Sequence, residues 1–264
     1  MNGPCLKRTV LFEMSLPSPN TSSDLSELGK KMTPRNYLIT GTTRGLGKAI
    51  AEHFLAGGGN VIGCGRTQST IAHRRYTHHL VDLASPNAIT EFFFALRREL
   101  DHLDVLINNA GVAKMNAFAL TPFESVQNIF AVNVNGTFLF SQKAIGLLRK
   151  SAHPRIINMT SVAVPLRLEG ESVYAASKSA VEMLTRVMAK ELSCFKITCN
   201  AIGPSPVATD LIKGVPKEKI DRLLAKQAIP EMATVADVIH LAEFFAHPAS
   251  DMVTGQVVYL GGVS

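Results

Sequence analysis

"NYLITGTTRGLGKAI", residues 36–50, decides how this chain folds. The run Asn36 to Thr40 has strand character and passes directly into a turn carrying Gly41, Gly45 and Gly47. Residues 47–57 then show the apolar spacing of a helix. Glycine accepts a positive φ and lets a ligand approach the backbone closely. A helix opening on such a turn presents free N–H groups and the positive end of its dipole. Strand, glycine turn and helix in this order predict a diphosphate cradle built from Gly41, Thr43, Arg44, Gly45, Leu46 and Gly47.

The alternation continues outward. "NVIGCG", "HHLVDL", "DVLINNAG", "RIINMTS", "ITCNAIG" and "QVVYLGG" are further short apolar runs ending in small or polar residues. Helical-period stretches lie between them, among them "AITEFFFALRREL", residues 133–150 and "AVEMLTRVMAKEL". Strands alternating with helices imply parallel strands joined by crossovers. The prediction is an α/β fold: one doubly wound, seven-stranded parallel sheet with helices on both faces, in a single domain over 33–264. Runs nearly continuous in Val, Ile and Leu agree with strands buried on both faces. Such sheets bind ligands beyond the carboxyl ends of their strands, so the residues at those ends are the candidate site.

Composition narrows the function classes. The 264 residues are 46% hydrophobic and 18% charged, as expected of a globular protein. No apolar run approaches the roughly 20 residues that span a bilayer, so no membrane segment is expected. The four cysteines, Cys5, Cys64, Cys194 and Cys199, show no C-x-x-C spacing and read as reduced thiols of a cytoplasmic protein. The net charge is +6, but the basic residues are scattered, the densest cluster being His73-Arg74-Arg75. A nucleic-acid partner would require a basic stripe interleaved with aromatics, so none is expected; anionic small ligands suit the charge. Residues 1–32, with "LPSPNTSSDLSELGKKM", predict a disordered extension. Glu13, Asp24 and Glu27 argue against a presequence, and Met32 is a candidate start.

The second strand ends in "GCGRT". An acid at this place reads the ribose of NAD, whereas arginine accommodates the 2′-phosphate of NADP. Arg66 holds the position, Arg44 stands in the glycine turn, and no acid lies between Cys64 and Gln68, so NADP(H) is predicted. Asp82, followed by Leu83, either accepts a bond from an adenine amino group or caps the next helix. Asn108-Asn109-Ala110-Gly111 suits a turn against a ribose, or turn chemistry alone. Ser161 closes the fifth run, thirteen residues before Tyr174. Tyr174 and Lys178 lie one helical turn apart on a shared face. Only Ala175, Ala176 and Ser177 separate them, which leaves room for something flat.

Tyr174-x-x-x-Lys178, the upstream Ser161, the glycine turn and Asn108 to Gly111, in this order, resemble the short-chain dehydrogenase/reductase family from about Asn36 to the C-terminus. The chain looks closest to the 3-oxoacyl-(acyl-carrier-protein) reductase branch. The resemblance implies a Rossmann-like fold and reduction of a carbonyl to a secondary alcohol by NADPH, in fatty acid biosynthesis; no metal is implied. Tyr174 would be the general acid, its pKa lowered by Lys178 and the oxidised nicotinamide. Ser161 would hold the substrate oxygen and Lys178 the nicotinamide ribose. Asn133, in "AVNVNGTF", would hold a water behind Lys178. Asp82, Leu83, Asn109, Ala110, Gly111, Pro204, Val207 and Thr209 would complete the cofactor site. Relatives commonly assemble as tetramers through two long helices, placed here at roughly 123–150 and 174–193, and through the final strand, so a homo-oligomer (tetramer or dimer) is expected. An acidic carrier calls for a basic rim, expected from Arg149 and Lys150, although Phe195 and Lys196 stand where such reductases present arginine.

Two departures accompany the resemblance. Ser205 replaces the glycine that usually follows Pro204, which is expected to narrow the nicotinamide side of the pocket or reset its loop. Leu260 stands where many relatives have asparagine. The substrate side, "VPLRLEGES", mixes Leu166 and Leu168 with Arg167, Glu169 and Glu171, leaving a small ketone, a sugar or a steroid-like alcohol open as substrates. A nucleotide-binding regulator that keeps the fold without turnover is the alternative of a different class.

Overall fold

The computed structural model describes residues 34–208 and 215–263. The extension expected over 1–32, Cys5 and Thr209 lie outside the described residues. The chain enters β1 (Asn36–Thr40), turns into α1 (Gly45–Ala56), and continues through β2 (Asn60–Gly65) to β3 (Tyr76–Leu80). Then come α2 (Pro86–Glu99), β4 (Val105–Asn108), α3 (Phe123–Phe130), α4 (Thr137–Leu148) and β5 (Arg155–Met159). A short α5 (Ala163–Leu166) precedes the long α6 (Ser172–Glu191), followed by β6 (Thr198–Gly203). The described chain closes with α7 (Lys217–Leu224), α8 (Val235–Ala246) and β7 (Val257–Tyr259).

The strands form one seven-stranded sheet in the order β3-β2-β1-β4-β5-β6-β7, and every pairing is parallel. Leu38 of β1 faces Ile62 of β2 on one side and Leu106 of β4 on the other. The order reverses between β1 and β4, which opens a crevice at their carboxyl ends.

Alternation along the strands sorts the core into two layers. Leu38, Cys64, Leu106, Ile156 and Cys199 meet α2, α4 and α6 on one face. Tyr37, Ile39, Val105, Ile107 and Ile157 meet α1 and α8 on the other. Phe140 of α4 is fully buried, stacked on Phe92 and edge-on to Phe93, both of α2. β3 departs from the buried pattern because it is an edge strand, its residues half-buried or exposed. Among the described residues no helix is long and apolar enough to cross a membrane.

Three local expectations are corrected. The third apolar run stops pairing at Leu80, so Asp82 sits beyond the strand, in a turn. There its Oδ1 accepts the N–H of Ala84 at 3.0 Å, while Ser85 caps α2 by accepting from Ala88 and Pro86 occupies the first turn. The capping role belongs to Ser85, not Asp82. Finally, the helical segment expected over 133–150 opens with a π-helical turn at Ala131–Gly136, between α3 and α4.

Candidate active site

A cleft of about 1360 Å³ opens at the carboxyl ends of the strands. Its floor is the glycine turn. Gly41 and Gly45 take φ of +75° and +58°, in the left-handed region. A side chain at Gly47 would run into the Gly41 carbonyl and the Asn109 amide, so backbone alone fits where α1 begins. No side chain caps α1, and its first N–H groups face the cleft lined by Thr43, Arg44 and Leu46. This is a cradle that a phosphate can enter and a Cβ would fill.

The turn after β4 is tied to this cradle. The Asn109 and Ala110 N–H groups both donate to Thr40 Oγ1, at 3.0 and 2.9 Å, and Asn109 Nδ2 donates to the Thr40 carbonyl at 2.9 Å. Asn108 points into the core, its Nδ2 donating to Asn158 Oδ1 at 2.8 Å and Ser141 Oγ at 3.0 Å. The Nδ2 groups of both amides are thus spent on the scaffold, and Asn109, Ala110 and Gly111 line the cleft. Asp82 and Leu83 line the wall beside them. Arg44 and Arg66 reach the same end of the cleft, exposed, and neither guanidinium has a partner among the described residues. The residues present fit a dinucleotide: a glycine cradle for a diphosphate, with two free cations beyond it.

The opposite wall gathers the other candidate residues. One face of α6 is buried through Tyr174, Ser177, Lys178, Val181, Glu182 and Thr185, the spacing of a single helical stripe. Lys178 Nζ donates to the Met159 carbonyl at 2.8 Å and lies 5.8 Å from the centre of the Tyr174 ring. Ser161, just past β5, lines the cleft with Tyr174 and Lys178, its Oγ accepting the Ala163 N–H at 3.1 Å. Asn133 is buried in the π-helical turn, a feature that often marks functional sites. It exchanges two bonds with the backbone of Val112 (2.9 and 3.0 Å) and donates to Ser177 Oγ at 3.0 Å. A Cβ added at Gly111 would sit 3.3 Å from Asn133 Oδ1 and 3.4 Å from Lys178 Nζ, so these groups meet across that glycine.

Burial dominates the electrostatics here. It pushes the Tyr174 phenol up to about 12, against a lowering by Ser161 and with a further rise from Glu171. It brings the Lys178 ammonium down to about 8. The expected lowering of the Tyr174 pKa is therefore not produced by the protein's own groups.

Pro204 and Val207 line the cleft. Ser205 also lines the cleft; its φ lies outside the left-handed region, and its buried hydroxyl bonds Gln227 just beyond α7, accepting from Nε2 at 2.9 Å. The expected basic rim is corrected. Lys150 bonds Asp101 at 3.2 Å and Arg149 stacks on Phe195, all at the amino ends of the strands, opposite the cleft. The basic residues at the mouth are Lys219, Arg222 and Lys226, on or just after α7.

Sequence reasoning missed Ser177, which links Asn133 to the Tyr174 carbonyl that its own hydroxyl bonds at 2.7 Å. It also missed the buried Glu182, whose carboxylate accepts from Thr160 at 2.5 Å and Tyr259 at 2.6 Å. Their small or charged identities carry no period that would reveal them.

Residues 41–263 match the family described as "Enoyl-(Acyl carrier protein) reductase". A short-chain type dehydrogenase/reductase of Picea abies is 31% identical over 86% of this chain and 91% of that protein. A 3-oxoacyl-(acyl-carrier-protein) reductase of Vibrio cholerae is 28% identical over 85% and 95%. The structure of a gluconate 5-dehydrogenase from Burkholderia cenocepacia in complex with NADP and tartrate superimposes with a TM-score of 0.82 at 26% identity, over 88% of this chain and 95% of that one. With the Rossmann-like sheet and the Tyr174–Lys178 wall in place, these matches make the chain a member of the short-chain dehydrogenase/reductase family, oxidoreductases acting on CH–OH groups through a nicotinamide cofactor.

Proposed function

We infer that the protein reduces a carbonyl to a secondary alcohol with NADPH, on a 3-oxoacyl thioester borne by an acyl carrier. The observation that carries the chemistry is the convergence of Ser161, Tyr174 and Lys178 on one wall of a cleft whose far end holds the free Arg44 and Arg66. When bound, the reduced nicotinamide supplies the hydride. Ser161 Oγ donates to the substrate oxygen and fixes it. A phenol pushed to about 12 stays protonated at neutral pH, as an acid that must give its proton to that oxygen requires. Lys178, brought to about 8, sits in the range where a group both takes and releases protons, and restores the one Tyr174 gives up. Asn133 holds Val112 and Ser177, and through them the ground on which a relaying water would stand behind Lys178.

Lys219, Arg222 and Lys226 at the mouth, with Met115, Ile220 and Leu223 on the walls, suit an acyl chain delivered on an acidic carrier. Glu169, Glu171 and Asn116 on the substrate side favour a second reading, a hydroxylated ketone such as a sugar. NADPH consumption with an acetoacetyl thioester and with a polyhydroxy ketone separates the two. Loss of NADPH with the thioester supports the acyl reading, and loss with the polyhydroxy ketone alone replaces it. Tight NADPH binding with no turnover on a wider carbonyl and alcohol panel supports the silent regulator.

The same reading makes the protein a cytoplasmic enzyme of fatty acid biosynthesis that works as a dimer or tetramer. Buried free thiols at Cys64 and Cys199 suit a reducing compartment. Exposed Phe138 of α4 with Met183 and Val187 of α6 suit helix pairing between copies, and sedimentation of the full chain tests it.

A further inference from the structure

Behind the phosphate end of the cleft runs a chain of hydrogen bonds that the proposed reaction does not use. It starts at Thr42, fully buried in the glycine turn, whose Oγ1 lies 2.8 Å from the Tyr76 hydroxyl. Tyr76 in turn meets His78 Nδ1 at 2.9 Å, and His78 Nε2 meets the Thr67 carbonyl at 2.9 Å. A carbonyl only accepts, so Nε2 carries the hydrogen; in the neutral ring Nδ1 then accepts from Tyr76, and Tyr76 accepts from Thr42.

Space is reserved for this chain. Gly63 lies mid-strand in β2, where a side chain would collide with both Thr42 Oγ1 and the Tyr76 hydroxyl. A Cβ at Gly65 would sit 3.1 Å from Thr43 Cγ2 and 3.8 Å from His78 Cε1. The chain therefore crosses the end of β2 and joins the turn that carries Arg44 to the loop that carries Arg66, next to Thr67. Lys48 of α1 holds the same loop further on, donating to Thr70 Oγ1 at 3.0 Å.

Arg44 and Arg66 are exposed, and long exposed side chains hold a ligand well only when their backbone is fixed. We propose that His78 is a positioning residue for cofactor choice: through Tyr76 and Thr42 it locks the Arg66 loop against the glycine turn, so that both guanidinium groups close on one 2′-phosphate. The proposal rests on the NADPH reading, and the test separates the two.

The probes are 2′,5′-ADP and 5′-AMP, which differ only in the 2′-phosphate, with affinities measured by calorimetry on the full chain. The wild type prefers 2′,5′-ADP. His78→Phe and Tyr76→Phe each reduce that preference about tenfold, the scale of a lost hydrogen-bonded link, while 5′-AMP affinity stays within about twofold on the same scale. His78→Gln, whose amide can donate to Thr67 and accept from Tyr76, restores most of the preference. Tyr76→Phe removes one oxygen atom and serves where His78→Phe fails to fold. An unchanged ratio in Tyr76→Phe, or equal loss for both probes, overturns the positioning role and leaves the cofactor reading intact. A wild type that binds both probes equally overturns the cofactor reading and the positioning role with it.

Discussion

Lys178 is a buried cation, and its single protein acceptor among the described residues is the Met159 carbonyl. Burial brings its pKa from 10.5 to about 8. Between those values the unfolded chain binds a proton that the folded one does not, so this group makes stability rise with pH across that window. Below about pH 8 the folded protein bears the full cost of the buried charge. Lys178→Met should therefore raise the thermal midpoint at pH 7, the gain shrinking as the pH climbs from about 8 toward 10.5. The bare Met159 carbonyl costs about 1 kcal/mol, less than holding the cation in place. Melting curves across that range check it, and a midpoint at pH 7 equal to or below the wild type's would show that Lys178 is not held at a loss. Its presence in the fold then answers to chemistry, as expected of a site that trades stability for reactivity.

At the scale of elements, α2 and α4 meet through a cluster of three aromatic rings, with Phe140 at its centre. Truncating it leaves a void that rigid neighbours cannot fill, so Phe140→Ala should cost about 3–5 kcal/mol in urea unfolding; a loss under about 1 kcal/mol would mean that the two helices repack freely. These elements were legible because burial imposes a period. Alternation in β1 and the spacing in α2 and α6 follow from which side faces the core. The glycine turn was legible because few other residues fit it. The π-helical turn was not, since no residue preference announces one extra residue in a helical turn. Nor was the turning of Asn108 into the core, because an amide at a strand end satisfies either a ligand or a neighbouring strand. Misplacing Arg149 and Lys150 has a different cause: a helix that feeds a parallel strand ends at that strand's amino side, and this follows from the connectivity alone. Tyr76 and His78 escaped notice because an edge strand carries no buried pattern to set them apart.

Over the whole molecule, the C-terminal segment is clamped to the middle of the sheet by Arg155. This fully buried residue at the start of β5 donates to the carbonyls of His247 and Pro248 at 3.1 and 3.0 Å and to Asp251 Oδ1 at 2.6 Å. Asp251 itself is 55% exposed. Arg155→Met should cost about 3 kcal/mol by stripping three acceptors of their partner, whereas Asp251→Asn should cost no more than about 1 kcal/mol. Equal losses in chemical denaturation would place the clamp in the ion pair instead of the carbonyl bonds. The clamp, the two-layered core and the cleft at the switch point serve one purpose in this account: they hold Tyr174 as a protonated acid beside a bound reduced cofactor. The most direct test follows NADPH affinity and NADPH consumption together, across a carbonyl panel, in the wild type and in Tyr174→Phe. The account predicts unchanged affinity within about twofold and turnover lowered by at least about 10²-fold in the variant. Turnover that survives the loss of the phenol hydroxyl would contradict it.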